Sequence, residues 1–296
     1  MKTGFATVVG RPNVGKSTLV NRMVGTKVTI VSSRPNTTRH AVRGVIHRLD
    51  AQVVLVDTPG FHRPRTALGA RLVEAADASL GDVDVAVAVV DATAPIGAGD
   101  RLVLTRAIAG APREEVRAVR GLLVAVNKID RVRPAQLLGQ LADVAAAVDE
   151  LGGSDAAEYF PVSALTGEGV AALADAIVDR LPEGPAYYPS EMVTDTPEAL
   201  QVAELVREQL LRRAREELPH SIACRVTEWE WPRIRCEIVV ERDSQKGIVI
   251  GRGGEVLKEV GTAVRKQLPP GAFLELHVRV EKRWQQRPDA LDRLGY

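Results

Sequence analysis

The stretch Gly10-Arg11-Pro12-Asn13-Val14-Gly15-Lys16-Ser17, with the pattern G-x-x-x-x-G-K-S, decides the fold. An apolar, β-branched run, Ala6–Gly10, precedes it and a helix-periodic segment, Ser17–Val24, follows it, so the pattern joins a strand to a helix. In that setting the glycines let backbone N–H groups turn towards phosphate oxygens, Lys16 supplies a positive charge, and the Ser17 hydroxyl ligates Mg²⁺. The pattern therefore predicts a phosphate-binding loop, whose contacts we expect from Gly10, Asn13, Val14, Gly15, Lys16, Ser17 and Thr18.

Strand-like and helix-like segments alternate over residues 1–182, which predicts an α/β domain with a mostly parallel sheet. Ala41–Leu49 is the exception. Only a turn at Asp50 separates it from Gln52–Asp57, so these two segments should pair as an antiparallel hairpin at one edge. The other predicted strands are Ala6–Gly10, Val83–Asp91, Leu122–Asn127 and Tyr159–Ser163, and the predicted helices are Ser17–Val24, Ala67–Leu80, Asp100–Ile108, Pro134–Leu151 and Val170–Leu181.

Asp57-Thr58-Pro59-Gly60 ends a strand and continues the phosphate chemistry. A carboxylate at that strand end can hold Mg²⁺ through water, and the Gly60 N–H can meet a γ-phosphate. A threonine in the loop before Ala41 would complete the metal site, with Thr37 and Thr38 as the two candidates. Thr38 is favoured by resemblance to related proteins, in which the threonine of a Thr-Arg pair has that role. Together these residues predict a Mg²⁺-dependent reaction at a γ-phosphate, with Lys16, Thr38, Asp57 and Gly60 as the catalytic group.

Asn127-Lys128-Ile129-Asp130 follows another strand and predicts a guanine-binding site. A carboxylate at Asp130 can accept two hydrogen bonds from the N1–H and amine edge of guanine, a pair that adenine does not offer. Asn127 can tie the base site to the phosphate loop, while the aliphatic stem of Lys128 covers the ring face. Ser163-Ala164-Leu165 should close the base pocket from the last strand. The expected ligands are therefore GTP or GDP and Mg²⁺.

A second domain begins after a proline-rich break at residues 183–197. The predicted order of residues 198–296 is helix, two strands, short helix, Gly-x-x-Gly turn, helix and strand, which is the type II KH topology, an α+β fold. Its predicted elements are Glu198–Leu218, Ile222–Glu230, Arg233–Val240, Val256–Gln267 and Phe273–Val280. A Gly-x-x-Gly turn lets a nucleic-acid backbone approach closely. The candidate RNA-binding residues are Lys246, Gly251, Arg252, Gly253, Gly254 and Lys258.

Composition restricts the class of protein without naming a ligand. The chain has 296 residues, 39 basic and 38 acidic side chains, and a formal charge of +1, so a nucleic-acid surface has to be local. Cys224 and Cys236 are too few for a disulfide framework. The N-terminus lacks a signal-peptide pattern, and no stretch reaches the ~18 apolar residues of a spanning helix, so we expect a cytoplasmic protein.

The whole chain resembles the Era family of bacterial ribosome-assembly GTPases. The resemblance rests on the phosphate loop and on Pro35–His40, Leu218–Ser221, Glu241–Gly251 and Leu291–Tyr296. It implies a monomeric GTPase that binds 16S ribosomal RNA near its 3′ end and assists assembly of the 30S subunit. Phe61 stands where Ras-type enzymes have a glutamine, so backbone, the Thr38 loop or a partner must orient the attacking water.

Three other functions were weighed against this one. Asp130 argues against a P-loop ATPase. The intact Lys16, Ser17, Asp57 and Asp130 argue against a KH module fused to a degenerate GTPase. A nucleotide-dependent switch at the surface of the inner membrane is the alternative function, although the sequence has no basic amphipathic helix for it. His62 is a candidate general base, although a lone histidine in a loop is more often solvated. Ala109–Gly121 is expected to be a longer surface loop.

Overall fold

A computed structural model describes residues 1–61, 64–81, 83–110, 122–153, 157–213 and 221–296. The chain divides into two compact units. The first unit consists of Met1–Thr29, Thr38–Arg63 and Leu72–Asp195, and the second consists of Ile30–Thr37, Pro64–Arg71 and Thr196–Tyr296. Two short segments of the N-terminal half of the sequence thus belong to the second unit.

The first unit contains a six-stranded sheet with the order β2-β3-β1-β4-β5-β6. Its strands are β1 Lys2–Gly10, β2 Val42–His47, β3 Ala51–Asp57, β4 Val85–Asp91, β5 Leu122–Asn127 and β6 Ala157–Val162. Every neighbouring pair is parallel except β2–β3, which is antiparallel at the edge. The predicted mostly parallel sheet with one antiparallel edge strand is confirmed.

Helices follow the strands in the order that the alternating pattern predicts. They are α1 Lys16–Val24, α2 Ala67–Ala78, α3 Ala98–Gly110, α4 Pro134–Glu150 and α5 Val170–Arg180. Every residue of β3 and of β5 is buried, which matches the near-continuous Val, Leu and Ala runs typical of parallel strands covered on both faces. Because parallel strands end at one edge of a sheet, Gly10, Asp57, Asp91 and Asn127 are brought to the same side.

The first strand is longer than the sequence pattern predicts. It begins at Lys2 rather than Ala6, and its first pairing partner on β3 is Ala51. Thr3 and Gly4 interrupt the apolar run, yet Thr3 is buried, because a central strand needs backbone pairing and not only apolar side chains. Lys2 Nζ also donates to the Leu181 carbonyl at 2.9 Å, which holds this strand against the end of α5.

The segment after Pro182 packs on the first unit as far as Asp195. The Gln52 side chain bonds the backbone of Tyr187 and Tyr188, and the Val45 N–H donates to the Val193 carbonyl at 2.8 Å. These contacts satisfy backbone groups of β2 and of the proline-rich segment itself. The domain boundaries at residues 182 and 197 stay a prediction.

The second unit contains a three-stranded sheet with the order β7-β8-β9. Its elements are α6 Glu198–Arg213, β7 Ala223–Glu230, β8 Arg233–Val240, α7 Asp243–Ile250, α8 Glu255–Arg265, β9 Phe273–Val280 and α9 Pro288–Leu294. β7 and β8 are antiparallel, whereas β8 and β9 are parallel, so the predicted type II KH topology is confirmed. α9 was not predicted, because seven residues are too few to reveal a helical period. Cys224 and Cys236 are both buried and free.

Two predicted features fall partly outside the described residues. The predicted helix Glu198–Leu218 can be compared only as far as Arg213. Of the predicted loop Ala109–Gly121, the two described residues, Ala109 and Gly110, are the last residues of α3, because the helix continues beyond its predicted end, and the other residues lie outside the described part of the chain. Among the helices that the structure describes, none combines the length and apolar character needed to cross a membrane.

Candidate nucleotide site and RNA-binding turn

The phosphate loop between β1 and α1 closes around a buried ammonium group. Lys16 is 6% exposed, and its Nζ donates to the carbonyls of Gly10 at 3.1 Å and Arg11 at 3.0 Å. Burial lowers the pKa of Lys16 to about 8, although the nearby Asp57 carboxylate acts in the opposite direction. Burial leaves this charge incompletely compensated, so an anionic phosphate fits this position.

Asn127, at the end of β5, joins the phosphate loop to the base-binding motifs. Its Nδ2 donates to the Val14 carbonyl at 2.8 Å, and its Oδ1 accepts from the Ala164 N–H at 2.9 Å. Gly15 has a φ of 101°, and a Cβ built there would overlap the Asn127 amide. Glycine is therefore required at this position for both its left-handed backbone and its lack of a side chain.

Three hydroxyl groups converge on Asp57 at the end of β3. Thr29 Oγ1 donates to Asp57 Oδ2 at 2.9 Å and Thr38 Oγ1 donates to it at 3.2 Å, while the Ser17 and Thr38 hydroxyls are 2.9 Å apart. Burial raises the pKa of Asp57, which the Lys16 charge and these hydroxyls partly counteract. Asp57 Oδ1 is buried with no hydrogen-bond partner among the described residues. This oxygen-only donor set with one unsatisfied carboxylate oxygen suits Mg²⁺.

The structure separates the two threonines that the sequence left as alternatives. Thr38 is 7% exposed and joins Ser17 and Asp57. Thr37 instead donates to the Arg34 carbonyl at 2.7 Å and lies 2.6 Å from the Ser32 hydroxyl, within the loop itself. The geometry therefore favours Thr38 as the metal ligand, and its role stays a prediction.

The predicted guanine-binding residues lie together beyond β5 and β6. Ser163 Oγ donates to Asp130 Oδ1 at 2.6 Å, which orients the carboxylate. Lys128 has a φ of 71°, and its Nζ reaches the Asn13 carbonyl at 2.8 Å and Asp91 Oδ2 at 2.5 Å. Leu165 is 62% exposed, so its side chain contributes less to the pocket than its backbone does. Lys128 thus braces the phosphate loop as well as extending beside the base site.

The residues after Asp57 contribute backbone and apolar contacts. A Cβ at Gly60 would lie 2.9 Å from the Pro12 nitrogen, so this strand end passes close to the phosphate loop. The Phe61 N–H donates to the Gly10 carbonyl at 3.2 Å, while the ring is 2% exposed and has the Arg106 guanidinium 5.0 Å from its centroid. Phe61 is therefore packed inward and offers no polar side chain to water. His62 lies outside the described residues.

Sequence reasoning missed several residues that support the site. Thr29 and Arg22 carried no signal, because they reach Asp57 and the carbonyls of Ala164 and Leu165 only through the fold. Asp91 does carry a signal in the sequence, since it ends a buried strand beside β5. Arg11 was quoted only as a variable position of the phosphate loop. Its Nε bonds the buried Asp100 at 2.6 Å and anchors the loop to α3.

The Gly-x-x-Gly turn of the second unit joins α7 to α8. Gly251, Gly253 and Gly254 all have positive φ, of 76°, 61° and 82°, a backbone path that L side chains rarely follow. Among the described residues, no atom outside the adjoining ones lies within 4 Å of a Cβ built at Gly253 or Gly254, so the turn is open on its outer side. Arg252 and Lys258 are exposed beside it, and Lys246 is half-buried on α7. This is a surface that a phosphate backbone can approach.

The two sites define a class of protein: a P-loop GTPase joined to a KH module. Comparison with known families supports both halves, because the model described as "50S ribosome-binding GTPase" matches residues 5–128 and the KH domain model matches residues 217–285. The chain is 47% identical to GTPase Era of Mycolicibacterium smegmatis over 100% of this chain and 99% of that one. For GTPase Era of Mycobacterium tuberculosis the identity is 46%, with 99% and 98% covered.

Solved structures extend the match to the full fold. A variant of Aquifex aeolicus Era bound to GDP and aluminium fluoride superposes with a TM-score of 0.90 at 36% identity, covering 100% of this chain and 99% of that one. Era in complex with MgGDPNP and nucleotides 1506–1542 of 16S ribosomal RNA gives the same TM-score at 37% identity, with the same coverage. The chain belongs to the Era family and is accordingly a GTPase with an RNA-binding KH domain.

Proposed function

We propose that this chain binds and hydrolyses GTP with Mg²⁺ and, through its KH domain, binds 16S ribosomal RNA near the 3′ end during assembly of the 30S subunit. The observation that carries the proposal is the convergence of Ser17, Thr38 and Asp57 beside the Lys16 ammonium. It gives one place for a metal and one for phosphates in a chain whose other unit is a KH domain.

At the phosphate end, each residue has a defined task. Lys16 balances charge on the phosphates, and the Gly60 N–H is assigned to an oxygen of the γ-phosphate. Ser17, Thr38 and, through water, Asp57 would hold the metal, which would supply positive charge to stabilise the negative charge of the phosphates. Because Thr38 is in a loop, its hydroxyl can join the metal only when that loop is closed, which links metal binding to loop conformation.

At the base end, the proposed task is discrimination. Asp130, held by Ser163 at 2.6 Å, presents a carboxylate that pairs with the N1–H and amine of guanine. Adenine lacks this donor pair and would leave the Asp130 carboxylate unmatched beneath the bound base, which costs more than a missing contact. This pocket is fixed in position relative to the phosphate loop by Asn127, Lys128 and the backbone of Ala164 and Leu165.

Phe61 has a consequence for hydrolysis. Its side chain cannot orient a water molecule, so the remaining candidates are backbone groups, the loop that carries Thr38, and the bound RNA or another partner. We therefore expect slow basal turnover that a partner accelerates. We assign no role to His62.

The relative that was solved with RNA favours the small ribosomal subunit as the partner. The family model that matches residues 5–128 is named for the 50S subunit, but the relative that matches the full chain was solved with 16S RNA, so we follow the full-length match. A KH turn clamps about four nucleotides. The RNA in that relative, nucleotides 1506–1542, is much longer, so surfaces besides the turn should contact RNA.

Three finer points complete the proposal. We expect a monomer acting in the cytoplasm, where ribosomes assemble, which light scattering and fractionation would test. Peripheral contact with the inner membrane remains the alternative function. Flotation of the GTP-bound and GDP-bound protein with anionic lipid vesicles would separate the two functions, because an RNA-directed GTPase should stay with the unbound fraction in both states.

Crosslinking to RNA in cell extract tests the proposed function directly. The protein is crosslinked with added GTP, with GDP, or with neither, and the attached fragments are sequenced. We expect 16S fragments from the 3′ end, with a yield that depends on the nucleotide. The Lys16→Ala variant, which should bind neither nucleotide, is the matched control and should remove that dependence. Fragments spread over all cellular RNAs would contradict the proposal.

A further inference from the structure

A basic groove lies beside the Gly-x-x-Gly turn, between the C-terminal end of α6 and the length of α8. Its volume is about 460 Å³. Four cationic side chains line it, Arg212 and Arg213 from α6 and Lys258 and Lys266 from α8, together with one carboxylate, Glu259. An excess of positive charge in a concave surface raises the local concentration of anions.

The cations of this groove are not all used by the fold. Arg213 is paired with Glu259 at 3.2 Å, and Arg212 lies 3.4 Å from the buried Glu208. In contrast, the side chains of Lys258 and Lys266 make neither an ion pair nor a hydrogen bond within the described parts of the chain, and both are exposed. Because these two lysines have no internal ion pair to break among the described residues, their binding to an external anion loses no contact there.

The spacing along α8 connects this groove to the Gly turn. Lys258 is four residues after Gly254, and Lys258, Thr262 and Lys266 recur every four residues on one helix face, all lining the groove. From Lys258 to Lys266 this face extends for about 12 Å. A backbone that leaves the turn past the start of α8 therefore meets a row of donors of the right charge.

We propose that the groove between α6 and α8 binds the phosphate backbone of the RNA beyond the nucleotides held at the Gly-x-x-Gly turn. The inference rests on the proposed function and adds a second contact surface to it. Lysine ammonium groups are point charges without base-reading geometry, so this contact supplies affinity and reach rather than sequence preference. Lys266, eight residues after Lys258, lies farther from the turn along α8, and Arg212 lines the same groove from α6.

The test compares two single-stranded RNAs from the 3′ end of 16S RNA on the full chain. One has about five nucleotides, enough for the Gly turn, and the other is about three times longer. The Lys266→Gln/Arg212→Gln variant should bind the long RNA about tenfold more weakly in low salt, with a log–log salt slope smaller by about 1.4. Its affinity for the short RNA should be unchanged.

Arg265→Gln is the matched control, since it removes one positive charge from the same helix at a residue that does not line the groove. Basal GTP hydrolysis by every variant reports on folding. Equal affinity of the variant and the wild type for the long RNA would overturn the proposal that the groove binds RNA. An equal loss of affinity for both RNAs would also overturn it, because it would show that these cations act at the turn. Failure of the wild type to bind either RNA would instead defeat the proposed function itself.

Discussion

Lys16 combines a buried ammonium group with a pKa near neutrality. Burial lowers that pKa to about 8, so the fraction of molecules that keep the charge falls as the pH rises past 8. Bound phosphates favour the charged form, so binding takes up a proton above pH 8. We predict that GDP affinity at pH 8.5 is lower than at pH 7, by about a few-fold, because less of the Lys16 side chain is charged. Fluorescent GDP titrations at both pH values measure this.

The sign of the accompanying stability change follows from the same shift. Because the folded pKa lies below the value of 10.5 for an unperturbed lysine, the unfolded chain binds more protons between pH 8 and 10.5. The Lys16 contribution therefore makes the nucleotide-free protein more stable as pH rises through that window. Lys16→Arg is the control for binding, since arginine keeps its charge and any titration of guanine affects both proteins alike. Equal pH dependence in the two proteins would contradict the assignment to Lys16.

Asp130 offers a change of specificity at a single residue. In Asp130→Asn, the amide oxygen can still accept from Ser163, as Oδ1 does now at 2.6 Å, which leaves the amide N–H₂ facing the base. We predict a shift from guanine towards xanthine, whose C2 carbonyl accepts that donor, with a loss for GTP on the order of 1.5–3 kcal/mol. Competition between GTP and XTP measures it.

Asp143→Asn is the matched control for that prediction, because Asp143 is an exposed aspartate on α4. It makes the same chemical change away from the predicted base site and should leave the preference for GTP intact. An Asp130→Asn protein that still prefers GTP over XTP would place the guanine-reading group elsewhere in the chain.

At the scale of elements, α6 carries charged residues inside the second unit. Arg207 is fully buried, pairs through two nitrogens with Glu204 at 2.8 and 2.5 Å, and donates to the Thr37 carbonyl. Glu208, also fully buried, accepts from the Val31 N–H at 3.0 Å. Burial opposes the charge of Arg207, but Glu204 outweighs it and raises the pKa of Arg207. The helix thus holds the Ile30–Thr37 segment through main-chain bonds.

We predict that Arg207→Met makes this segment open more easily. Removing one partner of a buried pair typically costs about 3–5 kcal/mol, so amide exchange in residues 31–37 should accelerate by at least tenfold. Hydrogen exchange read by mass spectrometry measures this. Arg213→Met removes a cation of the same helix whose partner, Glu259, is exposed, and there we expect less than about 1 kcal/mol. Identical exchange in the two variants would show that Arg207 does not hold the segment.

At the scale of the whole molecule, the two functions should be separable by substitution. We predict that replacing Arg252 and Gly253 by two aspartates weakens RNA binding steeply while basal GTP hydrolysis persists. Both positions are exposed, Gly253 has space for a side chain, and aspartate tolerates its positive φ of 61°. The added charges repel passing phosphates, so the loss should shrink at high salt. Both activities are measured on one preparation.

The replacement Arg252→Gln is the milder control, since it removes a charge without adding one and should cause a smaller loss. RNA-stimulated hydrolysis should disappear in the aspartate variant together with RNA binding. Unchanged affinity for ribosomal RNA in a folded variant would refute the role of the Gly turn. Loss of basal hydrolysis would refute the independence of the two functions.

Much of the fold and of the nucleotide site could be predicted from the sequence, because those features are local. The phosphate loop needs its glycines and lysine in one continuous stretch, and the alternation of strands and helices follows from apolar periods. Asn127 and Asp130 could be predicted for the same reason. The two-residue ambiguity between Thr37 and Thr38 could not be resolved, since spacing does not say which hydroxyl turns inward.

What only the tertiary structure decided are contacts between residues that are distant in the chain. Thr29 on Asp57, Arg22 on the Ala164 carbonyl, and Arg11 on Asp100 depend on how strands and helices meet. The groove of Lys258 and Lys266 likewise exists only because α6 lies beside α8. Motifs by themselves determined the chemistry of this protein, because that chemistry requires fixed residue types in sequence. The residues that hold those motifs in place are determined by packing. Packing brings together side chains that are distant in the chain, and their separation in sequence carries no signal.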